Sequence, residues 1–253
     1  MIKTFIKRVL PPHFRLWLRF GLFLKIRGLL YVGKRYKCSC CDGNFRKFLP
    51  KRDGFETREN VICPRCGVVE RHRLLMLVLE QETNFFKAQK KVLHFSPEFS
   101  TQAKFKTFHK EGYLSADLNS ILAMEHWDIQ EIPYPDNHFD VIICSHVLSF
   151  VKDDTIALSE LQRVLDENGY LIIQTDLHKN AQTIVHPEMS IDAMQTYSQW
   201  ERLRSYGEDF FARIKDAGLD FEIIEFGKNL EPDQVKHHGI NPEENIIFCR
   251  KPS

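Results

Sequence analysis

The chain has 253 residues, 43% apolar and 27% charged, enough nonpolar material for one large packed domain or one domain with an appendage. It reads as a soluble globular protein, and no internal repeat or low-complexity segment points to another class. Net charge is only +1, yet ten basic residues and no acid precede Asp42, leaving 25 basic against 34 acidic side chains in the rest.

Residues 1–36 read as a basic, apolar, helical N-terminal segment. Within it LWLRFGLFLKIRGLL (Leu16–Leu30) is short for a membrane span and is interrupted by Arg19, Lys25 and Arg27, so a spanning helix is not expected. A signal peptide is not expected either, for want of an uncharged core and a small-residue cleavage site. The expected location is cytoplasmic. Trp17, Phe20 and Leu24 share a charge-free arc of a helical wheel. Two readings follow: a helix packed on its own domain, or peripheral contact with an anionic membrane.

Residues 37–67 carry the strongest local signal. Cys38-x2-Cys41 is followed after 21 residues by Cys63-x2-Cys66. Two such knuckles present four thiolates to one tetrahedral ion, a closed structural zinc site. Cys40 is spare, and Cys144 and Cys249 fall in apolar, strand-like runs that suit a core. The polar stretch between the knuckles, with Asp53-Gly54 as a turn, suits the strands of a zinc ribbon. Residues 68–90 form a connecting segment in which Leu74, Leu75, Val78 and Leu79 recur at helical spacing. His72 is placed on the polar face of that amphipathic helix, with metal ligation as the alternative.

Residues 91–253 alternate. KVLHF, YLSAD, FDVIICS and GYLIIQT read as short strands. In DDTIALSELQRVLDENG, Ala157, Leu161, Val164 and Leu165 make one helical stripe, capped by Asp153, Asp154 or Thr155 and ended by Gly169. YGEDFFARIKDAG predicts another helix, and LDFEIIEF and NIIFCRK two last strands. Alternation of this kind implies a mostly parallel sheet whose ligands bind at the strands' carboxyl ends. Asp117, at the end of the second strand and 19 residues beyond Glu98, has the placement of a ribose-binding carboxylate.

At this point the chain resembles the class I S-adenosylmethionine-dependent methyltransferases, of the group with a type 11 methyltransferase domain. The likeness rests on the ordered set Asp117, Asp128-Ile129, PDNHFDVI, SHVL, ELQRVL and NG, and covers Lys91–Gln174. It implies an α/β fold with a Rossmann-like, doubly wound, seven-stranded sheet, here with an N-terminal zinc-ribbon appendage. It further implies cofactor binding by Phe95, Ser96, Pro97 and Glu98, by Asp117 with Leu118, by Asp128 with Ile129, and by the Ser145-His146 corner. The family's first loop is glycine-rich, whereas this chain has HFSPEFS. S-adenosylmethionine brings no pyrophosphate to cradle, so Ser96 as a donor, Pro97 with its fixed φ and Glu98 opposite the ammonium can replace the glycines. A ribbon, the Arg71-His72-Arg73 helix and this loop together resemble one subgroup of the family.

In the same resemblance RLRSYGEDF puts Arg204, Tyr206 and Asp209 on the acceptor side. His178 and His186 follow the fourth strand, where an acceptor could sit. His146 is the first candidate for a general base, or else it shapes the cofactor pocket. The expected reaction is methylation of a hydroxyl on a small molecule or glycan. The rivals are an RNA methyltransferase that uses the ribbon and basic N-terminus, and a non-catalytic zinc-stabilised binding protein.

Overall fold

The computed structural model describes residues 22–53, 56–178, 181–186 and 202–252; Trp17, Phe20 and Gly54 lie outside them. In chain order the first elements are α1 (Leu24–Leu29), β1 (Val32–Cys38), β2 (Gly43–Phe45), β3 (Leu49–Asp53), β4 (Glu56–Ile62) and α2 (Glu70–Gln81). Then come β5 (Val92–Phe95), α3 (Phe99–His109), β6 (Tyr113–Ala116), β7 (Phe139–Ser145), α4 (Asp154–Val164) and β8 (Leu165–Gln174). The chain continues with β9 (Ile184–Val185), β10 (Arg204–Ser205), α5 (Phe210–Asp216), β11 (Asp220–Ile224), α6 (Pro232–His238) and β12 (Ile246–Arg250). A strand therefore begins at Val32, inside the segment expected to be helical to residue 36.

The chain divides into two compact units. The first comprises the residues up to 83 together with 98–104 and 226–243, and the second comprises 84–97, 105–225 and the residues from 244 onward. In the first unit two antiparallel hairpins, β1–β2 and β3–β4, carry the cysteine knuckles. Phe48 packs between Tyr36 and Phe45, and the Arg73 guanidinium lies 4.2 Å over its ring. Arg73 is fully buried, and its donors reach the carbonyls of Val61 (2.8 Å), His238 (2.9 Å) and Gly239. A buried guanidinium needs several acceptors, and this one recruits residues 226–243, which sequence reading had left with the methyltransferase region. Gly239 caps α6 at φ +57°, and a Cβ there would lie 2.7 Å from the Phe48 ring. Along α2 every residue from His72 to Leu79 is buried, so this helix is enclosed all round, not amphipathic.

The second unit is built on a six-stranded sheet, in the order β11-β12-β8-β7-β5-β6, in which β12 runs against its neighbours and the other strands are parallel. The central strands are buried on both faces, β5 throughout and β7 at every position but Asp140. Leu93, Phe95, Ile142, Cys144, Leu171 and Ile173 join one core with Ala157 and Leu161 of α4 and Phe210 and Ile214 of α5. The opposite face carries His94 beside Phe105 and Tyr113, and Tyr170 stacked on Phe248. Cys144 and Cys249 are buried strand residues, and burial pushes the Cys144 thiol up to about 12.

Two details differ from expectation. Among the described residues the seventh strand is reduced to a single parallel bridge between Ala116 and Glu125. Residues 117–124 are too short for the crossover of a dozen or more residues that a parallel strand pair needs. Gly169 does not end α4: the helix stops at Val164 and Gly169 lies within β8, where a Cβ would approach the Asp140 carbonyl to 2.8 Å. At the other end of α4 the cap is Asp153, which accepts from the N–H groups of Thr155 and Ile156.

Candidate functional site

The carboxyl ends of four parallel strands lie in register. Phe95 pairs with Ala116 on one side and Cys144 on the other, and Ser145 pairs with Gln174. The residues that leave these ends are Ser96, Asp117, the Ser145-His146 corner and Thr175. Ser96 takes φ +52° and donates its N–H to the Ala116 carbonyl at 2.9 Å. It thus occupies the left-handed conformation that glycine would adopt without a Cβ penalty. His146 is also left-handed, at φ +53°, and its N–H reaches the Gln174 carbonyl at 2.8 Å.

Both predicted strand-end acids are braced by their own backbone. Asp117 Oδ1 accepts from the N–H groups of Asn119 (2.9 Å) and Ser120 (2.7 Å). Leu118 next to it is 57% exposed. Asp128 takes the N–H and the side-chain amide of Gln130, each at 2.9 Å. Gln130 in turn accepts from the Asp153 N–H that opens α4. Ile129 is buried in the core, and Trp127 lies edge-on to Phe95 at 5.6 Å.

At the ends of β7 and β8 a chain of polar side chains forms. Ser145 Oγ donates to Gln174 Oε1 at 2.9 Å, Gln174 Nε2 reaches Glu244 Oε1 at 3.3 Å, and His146 Nε2 lies 3.4 Å from the same oxygen. Glu244 was not foreseen in the sequence. A carboxylate facing Nε2 favours the tautomer that carries its N–H at that nitrogen.

Arg204 and Tyr206, expected beside an acceptor, are buried and committed elsewhere. Arg204 donates to the carbonyls of Leu148 (3.0 Å) and Lys152 (2.8 Å), and the Tyr206 hydroxyl lies 3.0 Å from both the Leu148 carbonyl and Asp154 Oδ2. Arg213 joins Asp154 at 3.2 Å. Burial, aided by the Asp154 charge, pushes the Tyr206 phenol up. This knot ties the start of α4 to β10 and α5. Asp209 accepts from Thr183 Oγ at 2.7 Å, His186 bonds Ser205 Oγ at 3.0 Å, and His178 is exposed.

In the first unit the ligand atoms of Cys38, Cys41, Cys63 and Cys66 lie within 4.8 Å of one another. The Cys38–Cys66 and Cys41–Cys63 sulfurs are 3.7 and 3.8 Å apart. A tetrahedral ion holding sulfur at ~2.3 Å spaces its sulfurs about 3.8 Å apart, whereas a disulfide needs ~2.05 Å. Hydrogen bonds from Cys40, Cys41, Cys63 and Cys66 hold the Cys38 thiol well down, and its proximity raises Cys66. Cys40 lies outside the quartet and donates to the His72 carbonyl at 3.3 Å. His72 is no metal ligand and no surface residue. Its Nδ1 accepts from the Val69 N–H and its Nε2 lies 2.7 Å from Glu98 Oε1, while Thr101 Oγ bonds Glu98 Oε2 at 2.8 Å.

Residues 77–173 match the methyltransferase domain family. A segment of 44 residues is 43% identical to the ubiquinone/menaquinone biosynthesis C-methyltransferase UbiE of Shewanella frigidimarina, spanning 17% of this chain and 18% of that protein. Among solved structures, an S-adenosylmethionine-dependent methyltransferase from Mesorhizobium loti superposes with a TM-score of 0.52 at 14% identity, over 70% of this chain and 97% of that one. An O-methyltransferase from a trans-AT polyketide synthase of Brevibacillus brevis, solved with S-adenosyl-L-homocysteine, gives 0.50 at 13% identity, over 72% and 73%. The chain thus has the fold of the S-adenosylmethionine-dependent methyltransferases, and the segment that matches the methyltransferase domain model lies within it.

Proposed function

We propose that this chain is an S-adenosylmethionine-dependent methyltransferase acting on a hydroxyl of a small molecule or glycan. The reading rests above all on His146 beside Glu244 at the carboxyl ends of β7 and β8, in register with the Ser96 and Asp117 strand ends. The cofactor, when bound, supplies an already activated methyl group. What the protein must add is alignment of the acceptor and, for a hydroxyl, a base. Asp117 offers Oδ2 to the ribose hydroxyls while Oδ1 stays with its turn. Asp128 offers its carboxylate to the adenine amino group. The Ser96 left-handed turn takes the backbone conformation that glycine gives the family's loop, and Glu98, next but one in the chain and in contact with His72 and Thr101, is the carboxylate for the ammonium. His146 takes the acceptor proton at Nδ1, and Glu244 steadies the imidazolium that results.

The four-cysteine cluster is proposed to hold structural zinc, because its sulfur spacing suits that ion and leaves no open position. Mass spectrometry of the native chain should show one zinc, lost in Cys38→Ser. Calorimetric titration of the zinc-loaded protein with S-adenosylmethionine and S-adenosylhomocysteine tests the cofactor reading. Binding weakened by Asp117→Ala and Glu98→Ala is expected. A folded, metal-loaded chain that binds neither compound would overturn it and return the non-catalytic alternative.

A further inference from the structure

α1 is packed with its small side inward. Leu24 and Gly28 are buried, and a Cβ on Gly28 would sit 2.8 Å from Arg65 Cβ beside the second knuckle. Arg27 fixes the same side by donating to the Pro64 carbonyl at 2.8 Å. The large side chains face the other way: Phe23 is 60% exposed, Ile26 53%, Leu29 73% and Leu30 68%. At about 100° per residue these positions, with Leu22, fall within roughly a third of the helical wheel. Val32 continues the patch into β1 at 63% exposure. A helix that buries a glycine and, together with its flanking residues, exposes five large apolar side chains has its apolar face turned outward.

The border of the patch is cationic. Lys25, Lys34, Arg35 and Lys37 are exposed, and Arg46 and Lys47 lie 5.4 and 5.8 Å from the Tyr31 ring at the end of α1. No acidic residue occurs before Asp42, so nothing in the first 41 residues neutralises these charges. Aliphatic side chains flanked by Lys25 on the helix and by Arg46 and Lys47 at its end suit the boundary of headgroup and acyl chain. A nucleic acid would be served by exposed aromatic platforms, which this patch lacks but for Phe23. Among the described residues no helix is long and apolar enough to cross a membrane.

We infer that the outward face of α1, continued through Val32 and bordered by Lys25, Arg46 and Lys47, is an interfacial docking surface for an anionic lipid bilayer. It lies in the surface rather than spanning it, holding by apolar insertion and by charge together.

Flotation of the full chain with phosphatidylcholine vesicles, with and without phosphatidylserine, tests this. The chain should float with the anionic vesicles, far less with the neutral ones, and less as salt rises. Leu29→Glu with Leu30→Glu should abolish flotation. Lys25→Glu with Arg46→Glu should weaken it by about tenfold or more, since each lysine or arginine near an anionic surface contributes about a fivefold gain in binding. Both variants should keep the wild-type melting temperature and zinc content, and a third, Ile26→Ser, serves if either fails to fold. A chain that stays soluble with both vesicles overturns the inference. So does flotation that these substitutions leave unchanged. A dimer broken by Leu29→Glu would assign the face to a second copy, and loss of flotation to competing single-stranded RNA at equal ionic strength would assign it to nucleic acid.

Discussion

Replacing Ser96 by glycine and by valine asks whether the first loop is governed by backbone conformation or by the serine hydroxyl. At φ +52° an L residue carries a left-handed penalty of about 1–2 kcal/mol. Glycine removes it but gives back roughly 0.5–1 kcal/mol through its freer unfolded chain. Ser96→Gly should therefore leave stability level or raise it by up to about 1.5 kcal/mol. A branched residue is a genuine outlier in this region, and Ser96→Val should cost about 1–2 kcal/mol more than serine. The N–H bond to the Ala116 carbonyl belongs to the main chain and survives in all three proteins. Urea unfolding of the zinc-loaded chain, with an unchanged slope, reads the differences; calorimetry then reads cofactor affinity, which Ser96→Gly should keep and Ser96→Val should lose. If glycine destabilises the loop while valine is tolerated, backbone conformation is not what serine supplies here, and the hydroxyl is.

Asp154→Asn leaves Arg204 buried beside a neutral amide and should cost about 3–5 kcal/mol, while Tyr206→Phe should cost only about 1 kcal/mol; thermal or urea melts that rank them the other way would displace Asp154 from the centre of the knot. Burial, with Lys90 nearby, lowers His109 to about 4. Because the unfolded imidazole takes a proton first, at its usual ~6.5, stability should be level above that pH and fall by about 3 kcal/mol on going down to pH 4. His109→Phe should flatten that limb, as measured by denaturant midpoints across pH. Glu244→Gln should reduce turnover with cofactor affinity kept, whereas equal loss of both would make Glu244 part of the binding site.

The sheet was legible because its strands are buried on both faces, so Val92–Phe95 and Phe139–Ser145 appear as short apolar runs between polar turns. The cysteine quartet was legible because a CxxC knuckle is a local turn whose geometry is contained in its own spacing. Strand count was less so: HWDIQ has the composition of a strand end, but only the length of the link 117–124 decides whether a full strand can pair. Arg204 and Tyr206 show a different limit. A motif places residue types near one another, yet it does not say which way an arginine points, and here Asp154 and two carbonyls claim both side chains.

Glu244 was invisible for a reason that follows from topology. It lies 98 residues from His146, in the loop before β12, and no periodicity or motif marks it as special. What brings it to the strand ends is the direction of β12. Because that strand runs antiparallel to β8, with Ile247 opposite Ile173, its amino-terminal end meets the carboxyl ends of the parallel strands. The residue two before Ile246 thus arrives beside Gln174 and His146. Had β12 been parallel, its approach loop would lie at the opposite edge and the imidazole would face no carboxylate from this segment. In this chain the reversed strand does more than close the sheet: it delivers an acidic side chain able to orient the candidate base.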